Sequence, residues 1–366
     1  MITERRSKQN FTYIIAEAGV NHNGDIEMAK QLIDVAAEAG ADAVKFQTFK
    51  AEKVISRYAP KAEYQKKTTA EAESQLDMVK KLELNEEAHR ILIDHCRMRK
   101  IQFLSTAFDF ESIELLAKTF DLPKLKIPSG EITNGPYLLR ITQTGKPVIL
   151  STGMSTLGEI ETALGALAFG YLNKRGIPSL RKFREAYCTQ EGQKILRKNV
   201  TLLHCTTEYP TPYEEVNLHA MITLQTAFGL PVGLSDHTAG IAVPIAAVAL
   251  EAIVIEKHFT LDRNLLGPDH KASLEPKELQ EMVHAIRQVE QALGHPEKIP
   301  SPAEWKNRDV ARKSLVAGCP INKGELLTKN SISIKRPGSG LSPMHYWSLL
   351  NKKAAKDYQP DEILTE

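Results

Sequence analysis

The sequence is short of cysteine, with four in 366 residues: Cys96, Cys188, Cys205 and Cys319. Their spacing matches neither a disulfide framework nor a paired-cysteine metal site. Unpaired thiols are typical of proteins in a reducing compartment. We therefore expect four free thiols in a cytoplasmic protein whose fold does not depend on disulfides.

An excess of charge of one sign is also missing, because 47 Lys and Arg face 45 Asp and Glu. With no basic stripe, we expect no nucleic-acid partner. No apolar run approaches the ~20 residues that a membrane span needs. The first residues, MITERRSKQN, lack the apolar stretch of a signal peptide. We therefore expect no membrane association.

Short apolar, β-branched runs alternate with longer amphipathic stretches along most of the chain. The candidate strands are 13–16, 43–46, 102–105, 124–127, 148–150, 201–204, 232–234 and 253–256. Helical spacing of apolar residues recurs over 26–39, 85–99, 160–169, 218–228, 241–250 and 276–293. Strands covered on both faces read as continuous apolar runs. The pattern predicts an α/β fold, a TIM (β/α)₈ barrel over residues 11–295.

Two stretches interrupt this alternation. Residues 171–199 are long and highly charged, and we expect a solvated excursion there with no catalytic role. Residues 296–308 contain prolines and are predicted to be a linker. Residues 309–366 would then form a small domain, with short strands or turns at 314–316, 324–326 and 332–335.

Polar and ionisable side chains follow every candidate strand, where the active sites of such barrels lie. Positive charge and hydroxyl donors together suit a small phosphate-bearing carboxylate. The residues that supply them are Lys45, Lys126, Ser129, Ser151 and Ser235. The alternative is that the lysines form structural salt bridges with Glu17 and Glu131.

Two histidines, His237 and His258, end consecutive strands and can converge on one divalent metal ion. The alternative is that each is a hydrogen-bonded core residue. His204 would be a third ligand or would orient its neighbours. Asp269, in the sequence GPDH, either caps a helix or presents a carboxylate to a polyhydroxylated substrate.

Taken together, these residues resemble the sialic acid synthase family. The matching segments are AEAGVNHNGD, VKFQTFKA, STAFD, KIPSGEITN, LSTGM, LLHCTTEYPTPYEEVNL, GLSDHT, EKHFTLD, GPDHKAS and KRPGSG. The resemblance implies a barrel followed by a small antifreeze-like (SAF) domain. Residues 61–84 resemble the bacterial members in particular. Residues 171–199 and the first ten lie outside the resemblance.

The resemblance also implies roles for individual residues. It implies catalytic roles for Glu17, Glu131 and Asp269, and a divalent metal, Mn²⁺ with Mg²⁺ or Co²⁺ as alternatives, on His237 and His258. The phosphoenolpyruvate contacts would be Lys45, Thr106, Lys126, Ser129, Ser151, Thr207 and Ser235. The sugar contacts would be Gln47, Tyr209, Asp269 and Arg336. Thr207 stands where some relatives have Asn, and Ala107 replaces a proline.

The implied reaction joins phosphoenolpyruvate, an N-acetylmannosamine-type sugar and water into N-acetylneuraminate, a nine-carbon 2-keto acid, and phosphate. The metal would polarise the sugar carbonyl, and Glu131 or Glu17 would act on the water. The alternative within the family is an N,N'-diacetyllegionaminate or pseudaminate synthase that uses a diacetamido trideoxyhexose. A more distant alternative is a Schiff-base aldolase that uses Lys126 or Lys257.

The tail allows one further alternative, a sugar- or ice-binding module without catalysis, but such a module would not need the polar strand ends. The resemblance implies a domain-swapped homodimer, in which Arg336 of one subunit reaches the barrel of the other.

Overall fold

The computed structural model describes residues 11–61, 74–173 and 176–365. The chain divides into two compact units, Met1–Gly294 and His295–Glu366. Within the described part of the first unit, eight parallel strands close into a barrel in chain order. The strands are β1 (Tyr13–Gly19), β2 (Ala43–Thr48), β3 (Gln102–Ala107), β4 (Leu125–Ile127), β5 (Val148–Ser151), β6 (Val200–Cys205), β7 (Val232–Asp236) and β8 (Val254–His258). The predicted TIM barrel is confirmed.

Helices follow the strands and cover the outside of the barrel. They are α1 (Ile26–Glu38), α2 (Ala51–Val54), α3 (Gln75–Lys80), α4 (Glu86–Arg99), α5 (Phe110–Glu114), α6 (Gly135–Thr142), α7 (Leu157–Tyr171), α8 (Leu180–Tyr187), α9 (Gln190–Asn199), α10 (His219–Phe228), α11 (Ala242–Ala249) and α12 (Pro276–Leu293). Side chains fix several starts: Asp25 accepts from the first-turn amides of α1, and Thr156 and Glu159 form a capping box on α7.

The interior of the barrel is closed by an apolar layer, which we call the plug. It consists of Ile15, Ala43, Leu104, Ile149, Leu203 and Val254. Gly233 lies beside it, where a β-carbon would come within 2.3 Å of the Val254 carbonyl oxygen and 2.9 Å of Leu203. Because strand side chains alternate between faces, the next inward position on each strand lies two residues further along. Those positions carry the polar side chains described below.

The expectation of a solvated excursion at 171–199 is wrong. Helices α8 and α9 form there, and Phe183, Ala186 and Leu196 are buried. The Phe183 ring packs edge-on against Phe169 of α7, 5.6 Å away. Gly165 allows this close packing, since a β-carbon there would lie 2.7 Å from the Phe183 carbonyl oxygen. The many charges occupy the outer faces of short amphipathic helices.

The second unit has its own apolar core, built around Leu315, Ile321, Leu349, Tyr358 and Leu364. Strands β9 (Ser314–Ala317) and β10 (Ile332–Lys335) pair antiparallel, and they correspond to two of the three short strands predicted for this unit. The third, 324–326, contributes only an isolated bridge between Leu326 and Lys353. The short helix α14 (Tyr346–Leu349) also lies in this unit.

The predicted linker is partly helical. Helix α13 (Pro302–Ala311) begins at Ser301, which forms a capping box with Glu304. Proline is well tolerated at the first helical position, because its missing N–H has no partner there in any case. The prolines therefore mark a helix start rather than an extended connection. Among the described residues, no helix is both long and apolar enough to cross a bilayer.

Candidate active site

One polar layer lies directly above the plug, two residues further along each strand. From β1 to β8 its members are Glu17, Lys45, Thr106, Lys126, Ser151, Cys205, Ser235 and Glu256. All are buried. The strand period therefore turns a list of residues scattered over 240 positions of sequence into one ring of side chains.

Two lysines and two carboxylates form an ion-pair network across this layer. Lys45 Nζ lies 2.6 Å from Glu17 Oε2 and 3.6 Å from Glu256 Oε2. Lys126 Nζ donates to Glu256 Oε1 at 3.0 Å. The lysines therefore form the buried salt bridges that were expected as the alternative to phosphate binding. The carboxylates in these salt bridges are Glu17 and Glu256, and not Glu131 as expected. Both lysines therefore contact one carboxylate, that of Glu256.

Glu256 is the site residue that the sequence interpretation missed. It bonds Lys126, pairs with Lys45, and accepts from the Ser235 hydroxyl at 2.9 Å. It belongs to no motif of its own and looked like an ordinary strand end. The signal that identifies it is its register, because Glu256 pairs across strands with Ile15 and Ser235 and is therefore level with the inward-facing row.

Burial and neighbouring charges push the two carboxylates in opposite directions. Burial raises the pKa of Glu17 to about 7, against the opposing effect of Lys45. Burial also disfavours the charge of Glu256, but Lys126 and Lys45 outweigh it and hold its pKa well below the usual range. One carboxylate is thus fixed as an anion, while the other can exchange a proton near neutrality.

The hydroxyl groups of the site differ in how they are used. Thr106 accepts from Lys45 at 2.8 Å, and Ser129 accepts from the Gly153 amide at 3.0 Å. Thr207 lies close by, since a β-carbon on Gly153 would come within 2.4 Å of its hydroxyl. The buried Ser151 hydroxyl has no hydrogen-bond partner within the described part of the chain. An unpaired buried donor of this kind favours a polar ligand.

His237 and His258 lie one step above the polar layer, with ring centres 5.5 Å apart. His237 Nδ1 donates to the Thr206 carbonyl oxygen at 2.6 Å, which leaves Nε2 unprotonated. The buried His258 Nδ1 has no hydrogen-bond partner among the described residues. Burial lowers the pKa of both imidazoles. Two neutral rings with an unpaired nitrogen fit a divalent cation.

The protein offers few further metal ligands here. Across residues 11–61, 74–173 and 176–365, no group of three or more His, Cys, Asp or Glu side chains is arranged to hold an ion. Asp269 Oδ2 lies 3.9 Å from His258 Nδ1, and burial raises the pKa of Asp269 to about 6. A bound cation would therefore need substrate or water for its remaining positions.

Three of the four expected sugar residues, Gln47, Tyr209 and Asp269, lie close to the histidines. The Tyr209 ring lies 4.1 Å from His237 and 5.7 Å from His258. Gln47 comes close to Glu17 and His258 at Gly19, where a β-carbon would meet all three within 3.5 Å. Gly19 itself has a φ of +53°, a conformation that favours glycine.

Four other predicted residues lie elsewhere or have other contacts. Glu131 accepts from Asn134 at 2.6 Å, and His204 Nε2 donates to the Val216 carbonyl oxygen at 2.7 Å, so His204 orients a loop. Arg336 belongs to the second unit, where its Nε donates to Ala311. Lys257, a candidate for Schiff-base chemistry, lies outside the barrel interior, where it is buried and forms an ion pair with Asp236.

Comparison with known proteins identifies the family. The model of the NeuB family matches residues 32–298, and that of the SAF domain matches 312–366. An N,N'-diacetyllegionaminic acid synthase of Campylobacter jejuni is 54% identical over 97% of this chain and 99% of its own. The enzyme of that name from Legionella pneumophila is 44% identical over 93% of this chain and 90% of its own.

More distant relatives also align with most of the chain. Human N-acetylneuraminate-9-phosphate synthase is 34% identical over 98% of this chain and 92% of its own. A solved structure of an N-acetylneuraminic acid synthetase from Leptospira borgpetersenii, in complex with citrate, is 33% identical, with a TM-score of 0.65 over 82% of this chain and 90% of its own. This chain belongs to the NeuB family and carries a C-terminal SAF domain.

Proposed function

We propose that this member of a family of phosphoenolpyruvate-dependent sugar-acid synthases makes N,N'-diacetyllegionaminic acid. Its substrates would be phosphoenolpyruvate, a diacetamido trideoxyhexose and water, and its second product phosphate. The observation that carries the reaction class is the polar layer, in which two buried lysines share the carboxylate of Glu256 and are surrounded by hydroxyl groups. The relatives at 54% and 44% identity support this sugar over N-acetylmannosamine, our first expectation.

Phosphoenolpyruvate would bind in the polar layer. Lys45 and Lys126 would exchange part of their pairing with Glu17 and Glu256 for the anionic groups of the substrate. The Ser151 hydroxyl supplies a donor that has no partner in the described structure. Ser129, Thr106, Thr207 and Ser235 would supply further polar contacts, and Gly153 leaves room for the closely packed hydroxyls around it.

The sugar would lie above this layer, against Tyr209, Gln47, Asp269 and the two histidines. His237 and His258 would hold a divalent cation, Mn²⁺ in our proposal, which supplies Lewis-acid polarisation of the aldehyde oxygen when bound. Tyr209 packs on the His237 ring and holds it in place. Asp269, whose pKa burial raises to about 6, presents its carboxyl group beside His258.

The reaction forms one carbon–carbon bond and replaces the bond between C2 and the phosphate oxygen by a bond between C2 and the oxygen of water. C3 of phosphoenolpyruvate attacks the aldehyde carbon, whose oxygen takes up a proton, and water adds to C2 with loss of a proton. Phosphate then leaves with the electron pair of its bond to C2, while the new C2 hydroxyl gives up its proton and becomes the keto oxygen. Glu17 is suited to accept the proton of the attacking water because its pKa lies near 7. Glu256 stays ionised and, together with the lysines, balances the charge that develops at C2.

Phosphate release tests the proposal directly. The protein is mixed with phosphoenolpyruvate and either 2,4-diacetamido-2,4,6-trideoxymannose or N-acetylmannosamine, and kcat/KM is compared. We expect the diacetamido sugar to be preferred by at least tenfold. A preference for N-acetylmannosamine would overturn the sugar assignment alone, and no phosphate release with either sugar, or with other N-acetylated hexoses, would overturn the reaction class.

The metal has its own test. Chelator-treated protein should lose activity and recover it on addition of Mn²⁺, because two neutral imidazoles face the sugar position. Full activity in rigorously metal-free protein would contradict the assignment of His237 and His258 as metal ligands.

A further inference from the structure

Immediately outside the barrel, behind the two histidines, lies a charged pair that the proposed chemistry does not use. Lys257 is completely buried, and its Nζ lies 2.5 Å from Asp236 Oδ2. It also donates to the Thr238 carbonyl oxygen. Asp236 and Lys257 sit on β7 and β8, each next to a histidine in sequence. A buried lysine needs a reason, because removing its charge from water is costly.

The pair closes a tight turn around His237. The Asp236 carboxylate accepts from both the Thr238 amide and the Thr238 hydroxyl at 3.0 Å, so it binds the residue beyond His237. The carbonyl oxygen of His237 accepts from the Thr211 amide at 2.9 Å. The backbone of His237 is therefore held on both sides by residues that do not belong to the barrel interior.

The same pair connects the two histidine-bearing strands. Lys257 lies between Glu256 and His258, whose side chains point inward, so its own side chain points outward by the alternation of the strand. Its bonds to Asp236 and Thr238 then cross from β8 to the end of β7. The backbone ladder already pairs Asp236 with Lys257 in register. The side-chain contacts extend that link to the loop beyond the last ladder position.

We propose that Lys257 and Asp236 are positioning residues that fix the separation and orientation of His237 relative to His258. The proposal concerns geometry: without the pair, the backbone ladder still joins the strand ends, but the loop after β7 loses its side-chain link to β8 and can shift relative to it. Residues that orient metal ligands from behind typically change metal affinity by about tenfold to a hundredfold when replaced. The expected change in Mn²⁺ affinity rests on the proposed function, because it requires a metal site. The expected change in the position of the His237 ring does not.

The experiment compares Lys257→Met, Asp236→Asn and the double variant with the wild type. Each single variant leaves one member of the buried pair without its partner of opposite charge and should be less stable than the wild type. The double variant removes both charges, and we expect most of the thermal stability to return. The bond from Lys257 on β8 to the Thr238 carbonyl oxygen is nevertheless lost. We therefore expect the Mn²⁺ affinity, measured by EPR as Mn²⁺ is added to metal-free protein, to stay tenfold to a hundredfold low.

A second readout needs no metal. In protein with ¹³C-labelled imidazoles, the His237 resonance, assigned by its loss in His237→Gln, should move in all three variants. Lys124→Met is the matched control, since Lys124 is a half-buried lysine just before β4 whose Nζ contacts the Tyr13 ring at 4.2 Å. We expect the control to change neither readout.

The double variant decides the question even where a single variant does not fold. If its Mn²⁺ affinity and its His237 resonance both match the wild type, the pair only stabilises the fold and the proposal is wrong. If the wild type itself does not bind Mn²⁺, the metal assignment fails instead, and the His237 resonance alone decides whether Lys257 and Asp236 position the ring.

Discussion

At the scale of single residues, the site depends on which face of a strand a side chain occupies. Lys45 and Lys126 were identified from sequence because a lysine at the end of a barrel strand is buried, and a buried charge is costly unless it has a partner. Glu256 was not, because an acidic residue next to Lys257 and His258 looks like part of a charged strand end. Only the register shows that Glu256 and His258 point inward while Lys257 points outward.

Replacing Lys126 by Met should weaken phosphoenolpyruvate use and leave Glu256 without its hydrogen-bonded cation. We expect kcat/KM for phosphoenolpyruvate to fall by about 1.5–3 kcal/mol in transition-state binding, the usual size for a lost charge-assisted hydrogen bond. Steady-state kinetics at saturating sugar measure it, with Lys124→Met as the control for loss of a barrel lysine away from the site. Unchanged kcat and KM in Lys126→Met would show that this lysine does not bind the substrate.

At the scale of elements, the eight strands were predictable because each contains an apolar run covered on both faces, as at β1 and β5. The strands extend further than predicted at most C-terminal ends, since the polar residues there still pair in the ladder. Helices α8 and α9 were not predictable by the same means. Each buries only two residues, and their charged majority resembles a solvated loop.

Phe183 tests how firmly helix α8 is attached to the barrel. Its ring fills the space beside Phe169 and Gly165, so Phe183→Ala should reduce the free energy of unfolding by about 3 kcal/mol. Urea denaturation is the measurement, and Leu180→Ala, at a 73% exposed position of the same helix, is the control. A loss no larger than that of the control would mean that α8 packs more loosely than its contacts indicate.

At the scale of the whole molecule, the barrel hides many histidines in neutral form. Burial lowers the pKa of His22 and His270 to about 4, and it also lowers those of His89, His204, His237 and His258. His89 is an example: burial is the main cause of its lowered pKa, and in the neutral ring Nδ1 donates to the Asn85 carbonyl oxygen while Nε2 accepts from Thr48.

These histidines predict an acid-sensitive fold. The unfolded chain takes up protons near pH 6.5 while the folded chain resists, so the contribution of these histidines to stability is complete above about pH 6.5 and falls progressively below it. Thermal unfolding between pH 7.5 and 5 measures the slope. His89→Gln should make the acid side less steep, whereas His284→Gln, at an exposed position, should not. An equal slope in His89→Gln and wild type would contradict this account.

The last prediction concerns the second unit and its Arg336. We propose that the SAF domain of one subunit serves the barrel of its partner through Arg336, whose fork of donors suits a sugar amide oxygen. Mixing an Arg336→Ala protein with a Lys126→Met protein should restore activity if subunits exchange, because some mixed dimers carry one intact site. No recovery despite demonstrated exchange, or full activity after truncation at Asp309, would show that Arg336 takes no part.

Within the described residues, the apolar plug closes the barrel interior at one end. The packed side chains of Ile15, Leu104 and Leu203 leave no passage there, so substrates and products would enter and leave at the other end, where the strands end. The polar layer lies directly on the plug, and the histidines lie one step nearer the open end of the barrel. A substrate bound to the lysines would therefore have to enter before the second substrate, which lies above it. The part of the first substrate that is released would leave only after the larger product has left.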